Sequence, residues 1–266
     1  GNWSNSRLLF ITRDGGERKI SSRVLENLQE MDTADPRTLV EFVAFGMQNF
    51  PAKHYALVLG NHGGTWMGML NDDTDNEAGM RLAPFVDALA ALKAAGAPKL
   101  DLIAFDMCLM AQVEVMDAIA PYAAYGVASE ELEPGAGYPN HRVLHALTSK
   151  PGMSPRELAQ TMVGEWGASY AEAGEATVTS SATDLARIPD LVAAVDALAE
   201  DVAENLQLAF GLVEDVEDLS LEALLARRHA DLAEAMVGHG LQHVLGELLA
   251  LGQQFAAADP RHPVQD

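Results

Sequence analysis

Two apolar runs constrain this chain more than anything else in it. Residues 55–59 read YALVL and residues 100–105 read LDLIAF. Each has the length of a strand, and neither shows the polar alternation of a strand with one wet face. Runs of this kind belong inside a parallel sheet covered by helices on both sides. The neighbouring segments suit that layering. Asp35 stands as an N-cap before Pro36, ahead of Leu39, Phe42, Val43 and Met47 at helical spacing. Residues 84–95 form a second amphipathic pattern, closed by Gly96 and Pro98. Residues 109–119 read as a helix that starts directly after the second strand, and residues 125–128 as a further strand. The expectation is an α/β fold, a sandwich of helices around a mostly parallel central sheet.

The flanks are simpler. Residues 7–12 (RLLFIT) read as a short strand ended by Asp14-Gly15-Gly16. Ser154-Pro155-Arg156-Glu157 is a helix start, residues 158–170 continue it, and residues 176–181 (ATVTSS) read as a strand. Long Ala/Leu-rich helical patterns occupy residues 189–208 and 219–254, before a tail at 259–266. Residues 1–198 are therefore read as one domain, and residues 199–266 as a helical extension packed on it.

Parallel sheets gather their functional groups beyond the carboxyl ends of the strands. Gly60-Asn61-His62-Gly63-Gly64 follows the first run, and Asp106-Met107-Cys108 closes the second. Cys108 is the single cysteine, so no disulfide can form within the chain. A thiol nucleophile needs presentation, a proton-transfer partner and donors for an oxyanion. A strand-to-helix junction would present Cys108 and lower its pKa. His62 would protonate a leaving amine. Gly63 and Gly64 let backbone approach a bound peptide, with the Gly63 N–H as an oxyanion donor. The 46-residue separation leaves room for a helix and a return strand between His62 and Cys108.

Other chemistries find less support. A formal net charge of −22 argues against nucleic acid or an anionic membrane as partner. No run has the length of a membrane span and no signal peptide opens the chain, so the compartment stays open. The histidines form no HExxH and no Cys/His cluster, which leaves a zinc hydrolase unsupported. The acidic stretch Asn71-Asp72-Asp73-Thr74-Asp75-Asn76-Glu77 offers hard oxygen ligands for Ca²⁺ through Asp72, Asp73 and Asp75. It lacks the glycine and glutamate positions of an EF-hand, and a solvated loop is the competing reading. No other cofactor is called for.

The two motifs together carry a resemblance. YALVLGNHGGTW at residues 55–66 and LIAFDMCLM at 102–110 resemble the histidine and nucleophile motifs of the clostripain family of cysteine peptidases. SEELEPGAG at 129–137 and VTSSATDLARI at 178–188 are similar in order and spacing. The resemblance spans roughly residues 7–198. It implies a caspase-like fold shared with gingipains and legumains, and an endopeptidase working through His62, Cys108 and a thioester. It implies a protein or peptide substrate cleaved after Arg or Lys, with Asp106 lining the specificity pocket. Ser129 and Glu130 would line the substrate cleft through their backbone. Relatives are often made as precursors and activate by self-cleavage.

The chain departs from that family in three places. Relatives carry a further strand before residues 7–12, which implies association with an upstream segment or another processed chain. Asn61, counted with the cleft residues, stands where an acidic residue often precedes the histidine, and bears on how His62 is oriented. Ala136 stands where a second pocket carboxylate is often found; Glu130, Glu131 or Glu133 would have to compensate. Two rival readings stay open here: a catalytically silent caspase-like scaffold for protein interaction, and a peptidase that prefers small or neutral side chains.

Overall fold

The computed structural model describes residues 5–13, 21–72, 74, 79–175 and 177–214. The chain divides into two compact units, Gly1–Ala197 and Leu198–Asp266. The first holds every motif above. Residues 219–254, Arg227-Arg228 and the tail at 259–266 lie outside the described residues.

A four-stranded sheet organises the first unit, in the order β3 (Ala56–Gly60), β4 (Leu100–Asp106), β5 (Ala123–Ala128), β6 (Ser181–Asp184). The first three strands run parallel, and β6 pairs antiparallel with β5. Alternation along β4 sends side chains into two separate cores. Ile103 and Phe105 pack on one face with Phe85 and Leu89 of α2 (Leu82–Ala94), Val115 of α3 (Val113–Ile119), and Leu39 and Val43 of α1 (Pro36–Asn49). Leu102 and Ala104 pack on the other face with Met162, Trp166 and Tyr170 of α5 (Pro155–Glu172). All four β4 side chains are fully buried, as a continuous apolar run requires.

Local chemistry sets the helix starts. The Asp35 carboxylate accepts the Arg37 N–H at 2.8 Å and Pro36 occupies the first turn of α1. Ser154 and Glu157 close a full capping box on α5. The expected α/β sandwich is observed.

Several elements differ from the sequence reading. β3 lies at an edge of the sheet instead of being buried on both faces. Leu57 and Leu59 are buried while Val58 is 43% exposed, because α5 packs over β4 and β5. An apolar run does not reveal which of its faces is covered. Residues 7–12 contribute only β1 (Arg7–Phe10), which forms a separate antiparallel pair with β2 (Arg23–Asn27), a strand whose pattern had not stood out. The last strand begins at Ser181, so residues 177–180 are not part of it. α4 (Asn140–Ser149) was not anticipated, and α6 runs from Ile188 to Glu214, longer than expected. The helix after β4 begins at Val113, and Cys108 is therefore not at a helix N-terminus.

Candidate active site

The register of the sheet brings the two motifs together. Gly60 of β3 and Asp106 of β4 are partners across the parallel ladder. His62 and Cys108 each stand two residues beyond that pair, at the carboxyl ends of adjacent strands. The Asn61 N–H donates to the Asp106 carbonyl at 3.3 Å and extends the ladder by one step. Past it, the chains approach closely through Gly63. A Cβ there would lie 2.5 Å from the Cys108 carbonyl oxygen and 2.9 Å from Met107 Cβ. Only glycine allows this approach.

Residues 62–70 form a tight hairpin. The Leu70 N–H donates to the His62 carbonyl at 3.1 Å, and the Gly64 N–H to the Gly68 carbonyl at 2.8 Å. These two bonds flank Gly63 and make it a non-hydrogen-bonded partner of Met69. The Gly63 N–H thus faces away from the hairpin. Thr65 and Leu70 hold positive φ of 65° and 57° within this hairpin, and Leu109 holds 61° just after Cys108. Left-handed backbone at such residues clusters where function demands a fixed loop.

Asn61 and His62 are both exposed. The Asn61 side chain is already engaged: Oδ1 accepts the His62 N–H at 2.6 Å and Nδ2 donates to the Asn71 carbonyl at 3.2 Å. It braces the histidine loop and does not project as a free substrate contact.

Cys108 is half-buried in the turn between β4 and α3. Its presentation comes from the loop after β5. The Leu109 N–H donates to the Glu131 carbonyl at 3.1 Å and the Ala111 N–H to the Ser129 carbonyl at 2.9 Å. The Glu133 N–H donates to Cys108 Sγ at 3.2 Å. Ser129 is fully buried, and its Oγ contacts the Glu131 carbonyl at 3.0 Å and Thr179 Oγ1 at 2.9 Å. Its carbonyl and hydroxyl thus serve the loop's own structure. Glu130, Glu131 and Ala136 are exposed.

Asp106 points inward beneath this loop. Its Oδ1 accepts the Tyr138 N–H at 3.0 Å, and Gly137 (φ 64°) passes so close that a Cβ there would meet Oδ1 at 2.7 Å. Burial raises its pKa, opposed by the bonds from Tyr138 and Glu133. Of the three glutamates weighed against Ala136, Glu133 is the one brought to Asp106. Burial and the neighbouring Asp106 push its pKa up from 4.5 to about 8. The wall behind is aromatic: Trp166 packs between Tyr138 and Tyr170, with ring centroids 4.7 and 4.6 Å away. The Tyr170 hydroxyl donates to the Gly137 carbonyl at 2.9 Å. These aromatics escaped the sequence reading, because helical spacing marks Trp166 and Tyr170 as core without saying which strand end they back.

In the acidic loop, Asp72 is a clasp. Oδ2 accepts from the Thr33 N–H and hydroxyl at 2.9 and 3.0 Å, and Oδ1 from the Thr74 N–H and hydroxyl at 3.0 and 2.7 Å. These donors hold its pKa well below the usual carboxylate range. Asp73 and Asp75 lie outside the described residues. Among the described residues, no group of three or more His, Cys, Asp or Glu side chains is placed to hold a metal ion. No described helix is long and apolar enough to cross a membrane.

The motifs and the sheet that pairs them have a counterpart among known families. The model of the clostripain family matches residues 6–249. The chain belongs to the clostripain family. Solved structures agree in fold. A secreted cysteine protease from Bacteroides thetaiotaomicron, held with an irreversible peptide inhibitor, is 24% identical with a TM-score of 0.60, covering 72% of this chain and 56% of its own. An inactive zymogen protease from Parabacteroides distasonis is 21% identical with a TM-score of 0.56, covering 71% and 50%. A further secreted cysteine protease from Bacteroides thetaiotaomicron is 18% identical with a TM-score of 0.55, covering 70% and 53%. This clostripain-family chain thus spans about half the length of the solved structures it matches. No curated protein matches it significantly.

Proposed function

We propose that this chain is a cysteine endopeptidase, with Cys108 as nucleophile and His62 as its proton-transfer partner. The observation that carries the reading is the register. Histidine and thiol stand at equal steps past the Gly60–Asp106 pair, and the Gly63 backbone lies against that of Cys108.

The chemistry follows from that arrangement. Cys108 passes its proton to His62 and its sulfur attacks the scissile carbonyl carbon; a C–S bond forms and the carbonyl π pair moves to the oxygen. The N–H groups of Gly63 and Cys108 stabilise that oxyanion. As it collapses, the C–N bond breaks and the amine leaves with a proton from His62. A thioester remains. His62 then takes a proton from water, whose oxygen attacks the thioester and releases the acid and the thiolate.

We infer a preference for Arg or Lys on the acyl side of the cleaved bond. An inward carboxylate at Asp106, backed by aromatic faces, suits a guanidinium or ammonium group with its apolar stem. A net charge of −22 favours approach of basic substrates. We also infer activation by self-cleavage, an idea supported by the family's inactive zymogen structure. Asp72 is a structural clasp in this reading, since both of its oxygens already accept from Thr33 and Thr74.

The test is Cys108→Ala against the parent on fluorogenic peptides ending in Arg, Lys or neutral residues. Loss of roughly 10⁴-fold or more in kcat is expected, together with loss of self-cleavage on a denaturing gel. Equal rates for parent and variant would end the peptidase reading.

A further inference from the structure

The loop after β5 does more than present the nucleophile; it covers it. Glu133 touches Cys108 with its backbone, the N–H at 3.2 Å from Sγ and the carbonyl 3.9 Å from the same atom. From there its side chain runs inward to the Asp106 carboxyl. Glu133 Oε1 is buried and meets no donor among the described residues. Two adjoining buried carboxyl groups resist ionising together, and burial with the neighbouring Asp106 charge makes Glu133 the one that keeps its proton. A substrate residue cleaved by Cys108 would use the same two anchors, its main chain at Sγ and its side chain at Asp106.

We propose that Glu133 is a gate residue, occupying in the resting enzyme the place of the substrate's basic side chain and leaving when a cation or the loss of its own proton displaces it. The proposal rests on the peptidase reading for the identity of the displacing residue.

The loop is built for a short swing. On one side it is pinned by Ser129 and Thr179 and by the Leu109–Glu131 bond; on the other, by Tyr138 on Asp106 and Tyr170 on Gly137. Between the pins, Leu132 is 66% exposed, Ala136 is exposed and Gly135 has open space around it. Moving this stretch breaks the contacts of Glu133 and the turn that closes from Gly137 to Pro134. The titratable groups that interact with Glu133 are Asp106 on β4, Tyr138 in the loop and Tyr170 of α5, with Cys108 against its backbone, and Glu130 and Glu175 act in turn on the two tyrosines. None of these is a cation that would compensate a second negative charge. Burial pushes Glu133 up to about 8, so it sheds its proton only in mild alkali. Once ionised, it is repelled by Asp106.

The experiment compares the full chain with Glu133→Ala and Glu133→Gln, folded as judged by thermal melting. Alkylation of Cys108 by iodoacetamide is followed by mass spectrometry from pH 5.5 to 9, and kcat/KM is measured on Arg and neutral peptides. Variant-to-parent ratios at each pH remove the pH dependence of the reagent itself. Expected is about tenfold faster alkylation of Glu133→Ala than of the parent at pH 6, falling toward parity by pH 9, with a lower KM for the Arg peptide at pH 6. Glu133→Gln, which has no proton to lose in this range, should stay slow at pH 9, where the parent has opened. Ratios that stay flat with pH for both variants would overturn the gate. So would a fall in Arg-peptide kcat/KM for Glu133→Ala with unchanged alkylation, which would make Glu133 a plain second wall carboxylate. If no form cleaves any peptide, the peptidase reading fails, while the alkylation ratios still decide the gate.

Discussion

The carbonyl oxygen of Cys108 lies 2.5 Å from where a Cβ on Gly63 would be placed. The loops that carry His62 and Cys108 therefore meet backbone to backbone, and their spacing tolerates no side chain at that point. Gly63→Ala should push the loops apart by a fraction of an ångström. A kcat loss of about 10²-fold is expected, with a stability loss of only about 1–3 kcal/mol. Steady-state kinetics and urea unfolding check this. A variant with parental kcat would show that the two loops need not touch for activity.

Asp106 is the inward carboxylate two residues before Cys108. Asp106→Asn keeps an oxygen to accept the Tyr138 N–H and removes the charge. Cleavage after Arg or Lys should fall by about 10- to 100-fold in kcat/KM, while cleavage after a neutral residue changes little. Equal losses on both substrates would mean that Asp106 shapes the loop and does not select the side chain.

Stability should depend on pH through the acid pair. The folded chain keeps Glu133 protonated up to about 8, whereas unfolded glutamate releases its proton near 4.5. Between those values the folded state binds more protons, so stability falls as pH rises. The contribution is complete below the unfolded value and is lost as pH passes 8. Asp106, also raised, acts in the same direction. Melting of the parent should drop by about 3 °C more than that of Glu133→Gln between pH 5 and 8.5. Superimposable melting curves across that range would contradict a shared proton.

Trp166 is 2% exposed and stacked between Tyr138 and Tyr170. Trp166→Ala should cost about 3–5 kcal/mol in urea unfolding. Because Tyr138 holds the Asp106 carboxyl through its N–H, KM for an Arg peptide should rise in the folded variant as well. Trp166→Phe should recover most of both. A loss below about 1 kcal/mol would show that the aromatic stack is not a core.

Much of this was legible in the residues. The caps at Asp35 and Ser154 depend on neighbours within one turn, and the apolar run of β4 needs no knowledge of its partners. Both are local properties, and both appear where the pattern placed them. The pairing of the histidine and cysteine motifs was readable because parallel strands of equal pitch end at one edge. The errors are of the opposite kind. β3 looked fully buried, yet the coverage of its second face depends on where α5 packs. Residues 109–112 were given to a helix, yet the N–H groups of Leu109 and Ala111 are taken by the loop after β5. Glu133 stood as one of three equal candidates, since nothing local distinguishes three glutamates in one loop.

The order of residues alone determined the layered α/β class and the family, and it singled out His62 and Cys108 as candidates. These follow from periodicity and from motifs contained within a dozen residues. Only the tertiary structure decided that Glu133 reaches Asp106, that Gly63 abuts Cys108, and that the thiol is held by a loop and not by a helix end. Those contacts join segments far apart in the chain, and burial, which sets both the space between atoms and the charge a carboxyl group can bear, exists only once the segments have packed.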